Sequence, residues 1–480
     1  MRTVLLESLA AWLPETIVGV GALAVLLLGT ATARRPKPTF VVAWLTLLAA
    51  AVALWHAPVP PPSGPFFGLI VCDPFSLVFR WFALATTAIV LLLVMASREL
   101  EPAWRGECTS LLLLIGLGLM LMAEAGHLLM AYVSMELVSL SSYALVGFLH
   151  ERRSAEASLK YLLFGALCSG IMLFGMSLLF GLTGTLSFLD TARALTALGG
   201  PMTSLFLVAV VLMLAGLAFK ISLVPFHMWT PDAYEGAPVA VAALLSVGPK
   251  AAGLALLLRV TEALKPAWPD AAPLLLVLTV VTMTLGNLVA LVQTNVKRLL
   301  AYSTIGQVGY LLIGFVTGTR LGHEALLVYL AAYLFMNLGA FAAVVAVVNG
   351  TGSESVDAFR GLSRREPALA LVCAVFLLSL AGVPPMLGFF GKFLLFGSAL
   401  DAGQTGLAVA AAINSAVALY YYVNLIRLMY FVPPADPSPL RPAFALRLAL
   451  WLCAAATLVL GLYPEPVLSL AAQSAVVNLL

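Results

Sequence analysis

"LAGLAFKISLVPFHMWTPD", Leu214 to Asp232, is apolar enough to lie in a membrane, yet it carries Lys220 in its middle and Pro225 and His227 before its end. A cation at mid-bilayer costs roughly 2.5–3.5 kcal/mol on insertion scales, so its presence needs a reason. A proline inside a helix frees the carbonyl four residues back and kinks the axis. Backbone opened in this way is tolerated at membrane depth only where protein or trapped water satisfies it. Cation and broken helix together point to a hydrated interior.

The rest of the chain agrees with a membrane solvent. Of 480 residues, 62% are hydrophobic and only 10% charged, with a mean hydropathy of +1.06, against about 25% charge in ordinary globular chains. Apolar stretches of membrane length recur throughout. They predict an all-α polytopic membrane protein of about fourteen spans. These lie at 14–33, 40–57, 73–96, 107–125, 127–149, 156–182, 202–224, 238–262, 272–294, 298–318, 323–349, 367–400, 407–432 and 443–463. No polar insertion is large enough for a nucleotide or haem domain, so residues 1–480 read as one integral membrane domain. The first residues, "MRTVLLESLAAWLPE", lack a small-residue cleavage site, and no removable signal peptide is expected. Five cysteines stand singly, without the spacing of a zinc or iron–sulfur site, and no metal or cofactor is expected in this chain.

Basic residues give an orientation. Loops after spans 1, 3, 5, 9, 11 and 13 hold Arg34, Arg35, Lys37, Arg98, Arg105, Arg152, Arg153, Lys297, Arg298, Arg360, Arg364, Arg365, Arg441 and Arg447. The opposite side holds Arg2, Arg193, Arg259, Lys265 and Arg320. The positive-inside rule puts the first group in the cytoplasm and both termini outside.

Six basic residues are left within spans. Arg80 and Arg427 are expected to snorkel to an interface. Lys220, Lys250 and Lys392 each adjoin a helix breaker: Pro225, Pro249 and Pro384–Pro385. Lys160 lies nearer a span end, where snorkelling is the alternative to a buried role. Glu136, inside the fifth span, shares a helical face with Ser139 and Tyr143. A buried acid paired with a buried lysine keeps both charged, and weakening the pair lets the lysine release its proton. Such groups in a membrane mark ion and proton paths. Of the remaining charges, Glu124 and His127 are expected to be solvated beside a short turn, Asp232 and Glu235 to cap a loop, and Lys297–Arg298 to fix topology.

The chain also repeats. "EASLKYLLFG" at Glu156 resembles "EALLVYLAAY" at Glu324, "YALVGF" at Tyr143 resembles "YLLIGF" at Tyr310, and "LAG" at Leu214 recurs at Leu380. The three offsets are nearly constant, and each spans five helices, an odd number. Spans 4–8 and 9–13 are therefore expected to form two inverted five-helix repeats, with discontinuous helices at spans 7 and 12, an arrangement transporters use to place ion sites. The expected division is N-terminal helices 1–105, a first repeat 106–262, a second repeat 271–432 and a last helix in 433–480.

These segments carry a resemblance. "MELVSLSSYALVGF", "LAGLAFKISLVPFHMWTPDAYEGAP", "NVKRLLAYSTIGQVGYLLIGF" and "LAGVPPMLGFFGKF" closely resemble the antiporter-like subunits of respiratory complex I, and most of all the N-type subunit of bacterial NADH:quinone oxidoreductase. The resemblance covers roughly residues 70–430. It implies a proton channel in which Glu136 pairs with Lys220, Lys250 bridges to the second half and Lys392 exchanges protons with one side. By the same carry-over Lys160 belongs to the relay, and His227 serves either as a hydrated relay group or as a structural imidazole. It implies, too, a bacterial inner membrane, other membrane-arm subunits as partners, and NADH, FMN, iron–sulfur clusters and quinone in those partners. Two other functions fit the same residues: a subunit of a multisubunit Na⁺/H⁺ antiporter, and a non-pumping scaffold whose lysines only hold helices together.

Overall fold

The computed structural model describes residues 2–32, 36–57, 65–198, 204–265 and 268–477; Arg34 and Arg35 lie outside the described residues. Among these, thirteen helices are long and apolar enough to cross a membrane, and Pro367–Ala381 is a shorter apolar one. The N-terminal part comprises α1 (Arg2–Ala11), α2 (Leu13–Ala31), α3 (Lys37–Trp55) and α4 (Pro74–Ala96). Next come α5 (Arg105–Glu124), α6 (Leu128–Val146), α7 (Arg152–Thr183), α8 (Phe188–Leu198), α9 (Ser204–Ile221), α10 (Trp229–Gly236) and α11 (Val239–Ala263). The second half is built from α12 (Trp268–Ala290), α13 (Val296–Val316), α14 (Arg320–Thr351), α15 (Leu362–Arg365), α16 (Pro367–Ala381), α17 (Leu387–Asp401) and α18 (Thr405–Phe431). The chain ends in α19 (Phe444–Leu462) and α20 (Glu465–Ser474).

Burial sorts the helices into centre and rim. The most apolar window of α11 is wholly buried, and those of α13 and α14 nearly so. α2, α3, α12, α18 and α19 leave most of theirs outward, with Leu45, Leu48, Val52 and Trp55 exposed. Polar residues on a central helix therefore face protein, while rim helices carry the lipid-facing leucines and valines. Without a hydrophobic drive between helices in lipid, close backbone approach holds them together. A Cβ on Gly286 would stand 2.5 Å from the Gly306 amide nitrogen, so α12 and α13 touch backbone to backbone.

The repeat is visible in the elements themselves. α7 and α14 each run 32 residues and end on a left-handed glycine, Gly184 (φ 71°) and Gly352 (φ 66°). The isolated bridges His127–Ser187 and Asn295–Ser355 stand at the same offset from one another as Glu156 and Glu324. α9, at 18 residues, and the shorter α16 both end at a break next to a buried lysine or its partners. Each closes on a left-handed residue, Ser222 (φ 64°) and Gly382 (φ 89°), and the next amide bonds back five residues, Leu223 to the Ala218 carbonyl and Val383 to Leu378. That is the helix-ending bond pattern that turns a chain out of its axis. α10 and α17 resume beyond the break, so spans 7 and 12 are discontinuous as expected.

Four expectations do not hold. The stretch between spans 6 and 7, which the span boundaries leave as a loop, contains α8, too short to cross but with Phe188 and Leu195 buried on one face and the exposed Asp190–Arg193 pair on its surface. Arg80 does not snorkel: it is buried, with Nη2 2.7 Å from Glu15 Oε2 and Nε 3.0 Å from Glu124 Oε1. Glu124 is correspondingly fully buried rather than solvated. Arg259, counted as an outer-loop charge, is buried in α11, 2.7 Å from Asp73 Oδ1 and donating to the Ala123 carbonyl. The partners of these charges lie on other helices, far off along the chain, where no local spacing announces them.

Candidate functional site: a buried lysine axis

In the first half, the end of α9 brings Lys220 inward just before the break. Lys220 is fully buried, and its Nζ lies 2.9 Å from Ser139 Oγ and 3.4 Å from the Met135 carbonyl of α6. Glu136, one turn before Ser139 and half-buried, accepts a hydrogen bond from Ser169 of α7. Among the described residues Glu136 and Lys220 make no ion pair, so the contact that the resemblance implied is not formed. Acid and base instead rest on separate hydroxyls of neighbouring helices. His227 lies beyond the break, mostly buried, with Nδ1 lacking a partner.

Lys250 sits one residue after Pro249 in the wholly buried α11. Its Nζ has no hydrogen-bond partner; the cation lies 4.4 Å from the Trp229 ring centroid and 5.8 Å from that of Tyr234. Trp229 is held by stacking on Tyr161 at 4.1 Å and by donating to the Phe219 carbonyl. The two lysines share one helix surface: a Cβ on Gly253, a turn beyond Lys250, would stand 3.5 Å from Lys220 Cγ.

In the second half, Lys392 of α17 donates to the carbonyls of Leu380 (3.0 Å) and Ala381 (3.1 Å), which the end of α16 leaves free, and lies 3.1 Å from Ser415 Oγ. The Tyr310 ring lies 4.4 Å from its Nζ. These are the orphan carbonyls that every helix end presents, here turned to hold a cation.

Between Lys250 and Lys392 runs a set of neutral polar side chains that the sequence reading missed. Asn337 donates to Ser246 at 2.6 Å, and Tyr333 Oη lies 3.2 Å from the Ser246 carbonyl and 3.1 Å from Thr304 Oγ1. Tyr329 donates to Gln307, whose Nε2 donates to the Leu380 carbonyl and to Tyr422, each at 3.1 Å. Gln307 and Lys392 thus meet on one carbonyl. A signal was present: Ser303, Thr304, Gln307 and Tyr310 lie on one face of α13, and Tyr329, Tyr333 and Asn337 on one face of α14. Hydroxyls both donate and accept, so such a chain with water can pass a proton without carrying a fixed charge.

Lys160 is elsewhere. Half-exposed at the start of α7, it pairs with Glu156 (2.9 Å) and Asp232 (3.1 Å). Asp232 and Glu235 do more than cap a loop, since both also hold Arg298, at 2.8 and 2.6 Å. Burial of Asp232 would raise its pKa, but hydrogen bonds from Arg298 and Lys160 win and hold the carboxyl below its ordinary value. Lys297, fully buried, pairs with Glu354 and donates to the Ala237 carbonyl. Among the described residues, no group of three or more His, Cys, Asp or Glu could hold a metal ion.

Two units that each break a helix beside a buried lysine, joined by hydroxyl and amide side chains, define an antiporter-like membrane subunit. The family described as NADH:quinone oxidoreductase/Mrp antiporter, TM, matches residues 125–418. A relative from Sorangium cellulosum, "NADH-quinone oxidoreductase subunit N 2", is 44% identical over 97% of each chain, and the "NADH-quinone oxidoreductase subunit N" of an Anaeromyxobacter strain is 42% identical over 88% of this chain and 87% of its own. The chain belongs to this family, among the subunits N of NADH-quinone oxidoreductase. Among solved structures it is similar to a chain of respiratory complex I from Thermus thermophilus (35% identity, TM-score 0.80, 96% of this chain and 99% of that one). A chain of the archaeal membrane-bound sulfane sulfur reductase matches at 27% identity and TM-score 0.87, over 98% and 97%. One of the Mrp complex of Dietzia, at 24% identity and TM-score 0.84 over 98% and 97%, shares the fold.

Proposed function

We propose that this chain is a proton-translocating membrane-arm subunit of an NADH:quinone oxidoreductase. It works in a bacterial inner membrane, with both termini on the outer face and the arginine-rich loops in the cytoplasm. NADH, FMN, iron–sulfur clusters and quinone belong to partner subunits, and related antiporter-like subunits are its neighbours. Protons pass along Glu136, Lys220, Lys250 and Lys392. Lys160, at the surface end of α7, and His227, past the break of α9, serve the approach to Lys220. The observation that carries this reading is Lys250: fully buried in the central helix α11 and lacking a hydrogen-bond partner. A lysine kept only to join helices would be expected to use its three donors.

The separation of Glu136 from Lys220 gives the cycle its moving part. Glu136 on Ser169 and Lys220 on Ser139 form one arrangement; direct pairing would form the other. Quinone reduction in partner subunits would bias the choice between them and drive the Lys220 proton toward Lys250. Each charge moved across the membrane costs about 2.3 kcal/mol per 100 mV. The test is Lys220→Ala in the assembled complex in vesicles, reading protons moved per NADH oxidised. A loss with assembly intact is expected, and unchanged pumping would sink the relay. Sodium-dependent exchange by a complex without redox subunits would instead favour the antiporter. Loss of assembly with pumping per complex unchanged would favour the scaffold.

A further inference from the structure

A relay centred on Lys250 needs a supply of protons, and the structure has a water-open cavity at the end of the molecule where α11 begins. The cavity has a volume of about 750 Å³ and is lined by Arg98, Glu99, Glu151, Arg153, Asn295 and Glu354, among others. Glu99 stands at its floor. Half-buried in the loop after α4, it accepts the backbone N–H of Val239, the first residue of α11, at 2.8 Å. Arg98 beside it is tied to Asn349 of α14, with its amide 2.9 Å from the Asn349 side-chain oxygen, so the floor is fixed between the two halves.

α11 connects this floor to Lys250. Val239, Ala243, Ser246 and Lys250 are spaced four, three and four residues apart and so lie along one helix face. At 1.5 Å rise per residue, the eleven steps from Val239 to Lys250 span about 16 Å. The side chains on that face are small until Ser246, whose Oγ receives the Asn337 amide. Two polar atoms at the inner end, Asn337 Oδ1 and Lys250 Nζ, have no partner although both residues are fully buried. Buried polar atoms left open in this way are where internal water sits.

The geometry points to Glu99 as the proton-loading carboxylate of an inlet that carries protons from the cavity along the Val239–Ser246 face to Lys250. The inference rests on the proton-translocating reading above and adds to it the point of uptake and the face it opens on. The charges around Glu99 suit the task. Burial pushes its carboxyl above the ordinary value and is the largest influence, the buried Lys297 opposes it, and Glu354 and Glu151 push the same way as burial. Arg98 and Arg153 complete the cavity wall. Glu99 therefore holds a proton at higher pH than a surface carboxylate does, while still facing bulk water.

Three variants of the assembled complex in vesicles test this. Glu99→Gln keeps an oxygen for the Val239 N–H but cannot titrate. It is expected to lower protons moved per NADH by the same amount as Lys250→Met, and the two together are expected to lower it no further. Glu99→Asp, which still titrates, is expected to recover at least half the loss. If Glu99→Gln pumps like the wild type while Lys250→Met does not, the inlet is elsewhere and the relay stands. If neither variant changes pumping, the relay reading itself fails and takes the inlet with it. Equal losses in Gln and Asp would make Glu99 a helix cap and nothing more. Labelling of the wild-type complex by a water-soluble carbodiimide, read by mass spectrometry, decides the matter even if a variant does not assemble. Modification of Glu99 is expected to persist to higher pH than that of surface carboxylates, and its absence would overturn the assignment.

Discussion

Replacing Lys250 by methionine separates a transport role from a structural one, because the structure sets the sign of the stability change. Lys250 donates no hydrogen bond, so Lys250→Met leaves no acceptor orphaned. Methionine is of similar length and flexible enough to fill the same channel beside Trp229. What is lost is the cation–ring attraction to Trp229 at 4.4 Å and, more weakly, to Tyr234 at 5.8 Å, about 2 kcal/mol or somewhat more in a dry site. What is gained is relief from burying an ammonium, roughly 2.5–3.5 kcal/mol on insertion scales. The balance is a variant between unchanged and about 1–2 kcal/mol more stable. The purified complex, titrated with denaturing detergent and followed by loss of this chain's helical signal, should show a midpoint at or above that of the wild type. Proton pumping should be lost at the same time. A midpoint clearly below the wild type, by more than the net worth of one hydrogen bond (about 1.5 kcal/mol at most), would refute the reasoning. It would mean that Lys250 holds helices together through bonds the structure does not contain.

The other lysine and the other cation clusters predict the opposite sign. Lys392→Met removes one of two donors from each of the Leu380 and Ala381 carbonyls, which Gln307 and Ser415 still reach, and should destabilise by about 1 kcal/mol in the same titration. Arg80→Met leaves Glu15 and Glu124 buried without their cation and should cost about 3–5 kcal/mol; adding Glu15→Gln and Glu124→Gln should recover much of it. Gly286→Ala drives a methyl into the Gly306 backbone, and since neither chain can yield, a loss of α12–α13 packing should appear as lowered thermal stability. The Asp232 carboxyl, held down by Arg298 and Lys160, and that of Glu354, where burial is outweighed by Lys297, both titrate below their ordinary values. Their stabilisation is therefore complete above the ordinary carboxylate range and lost as pH falls through the depressed values. Thermal stability should be flat from about pH 6 to 8 and drop only below roughly pH 4. A decline centred near neutral pH would show that other groups dominate.

Several features of this protein were legible in its residues alone. Span length and composition settled the solvent, since an apolar run of membrane length has few other places to be. The order of matching segments settled the repeat, and α7 and α14 then proved equal in length to the residue. Helix breakers next to Lys220 and Lys392 marked where α9 and α16 would stop, because a proline's missing donor and fixed ring act locally. At Lys250 that expectation fails, since α11 runs unbroken through Pro249; the burial of Lys220, Lys250 and Lys392 follows instead from the cost of a cation facing lipid.

Pairing followed no such rule. Whether Glu136 meets Lys220 or Ser169, whether Arg80 reaches water or two carboxylates, and whether Gln307 lies beside Lys392 depend on how helices rotate against one another. A single polar residue in an apolar span declares only that it will not face lipid. It does not declare which of the surrounding helices will satisfy it. That choice is made by side-chain packing across the bundle, among residues as far apart as Asp73 and Arg259. The sequence thus determined that the three mid-span lysines would leave lipid for protein, because exclusion from lipid is a property of one helix, whereas the burial of Arg80, Glu124 and Arg259 came only with their partners. Only the tertiary structure decided what each buried group touches, because contact is a property of two.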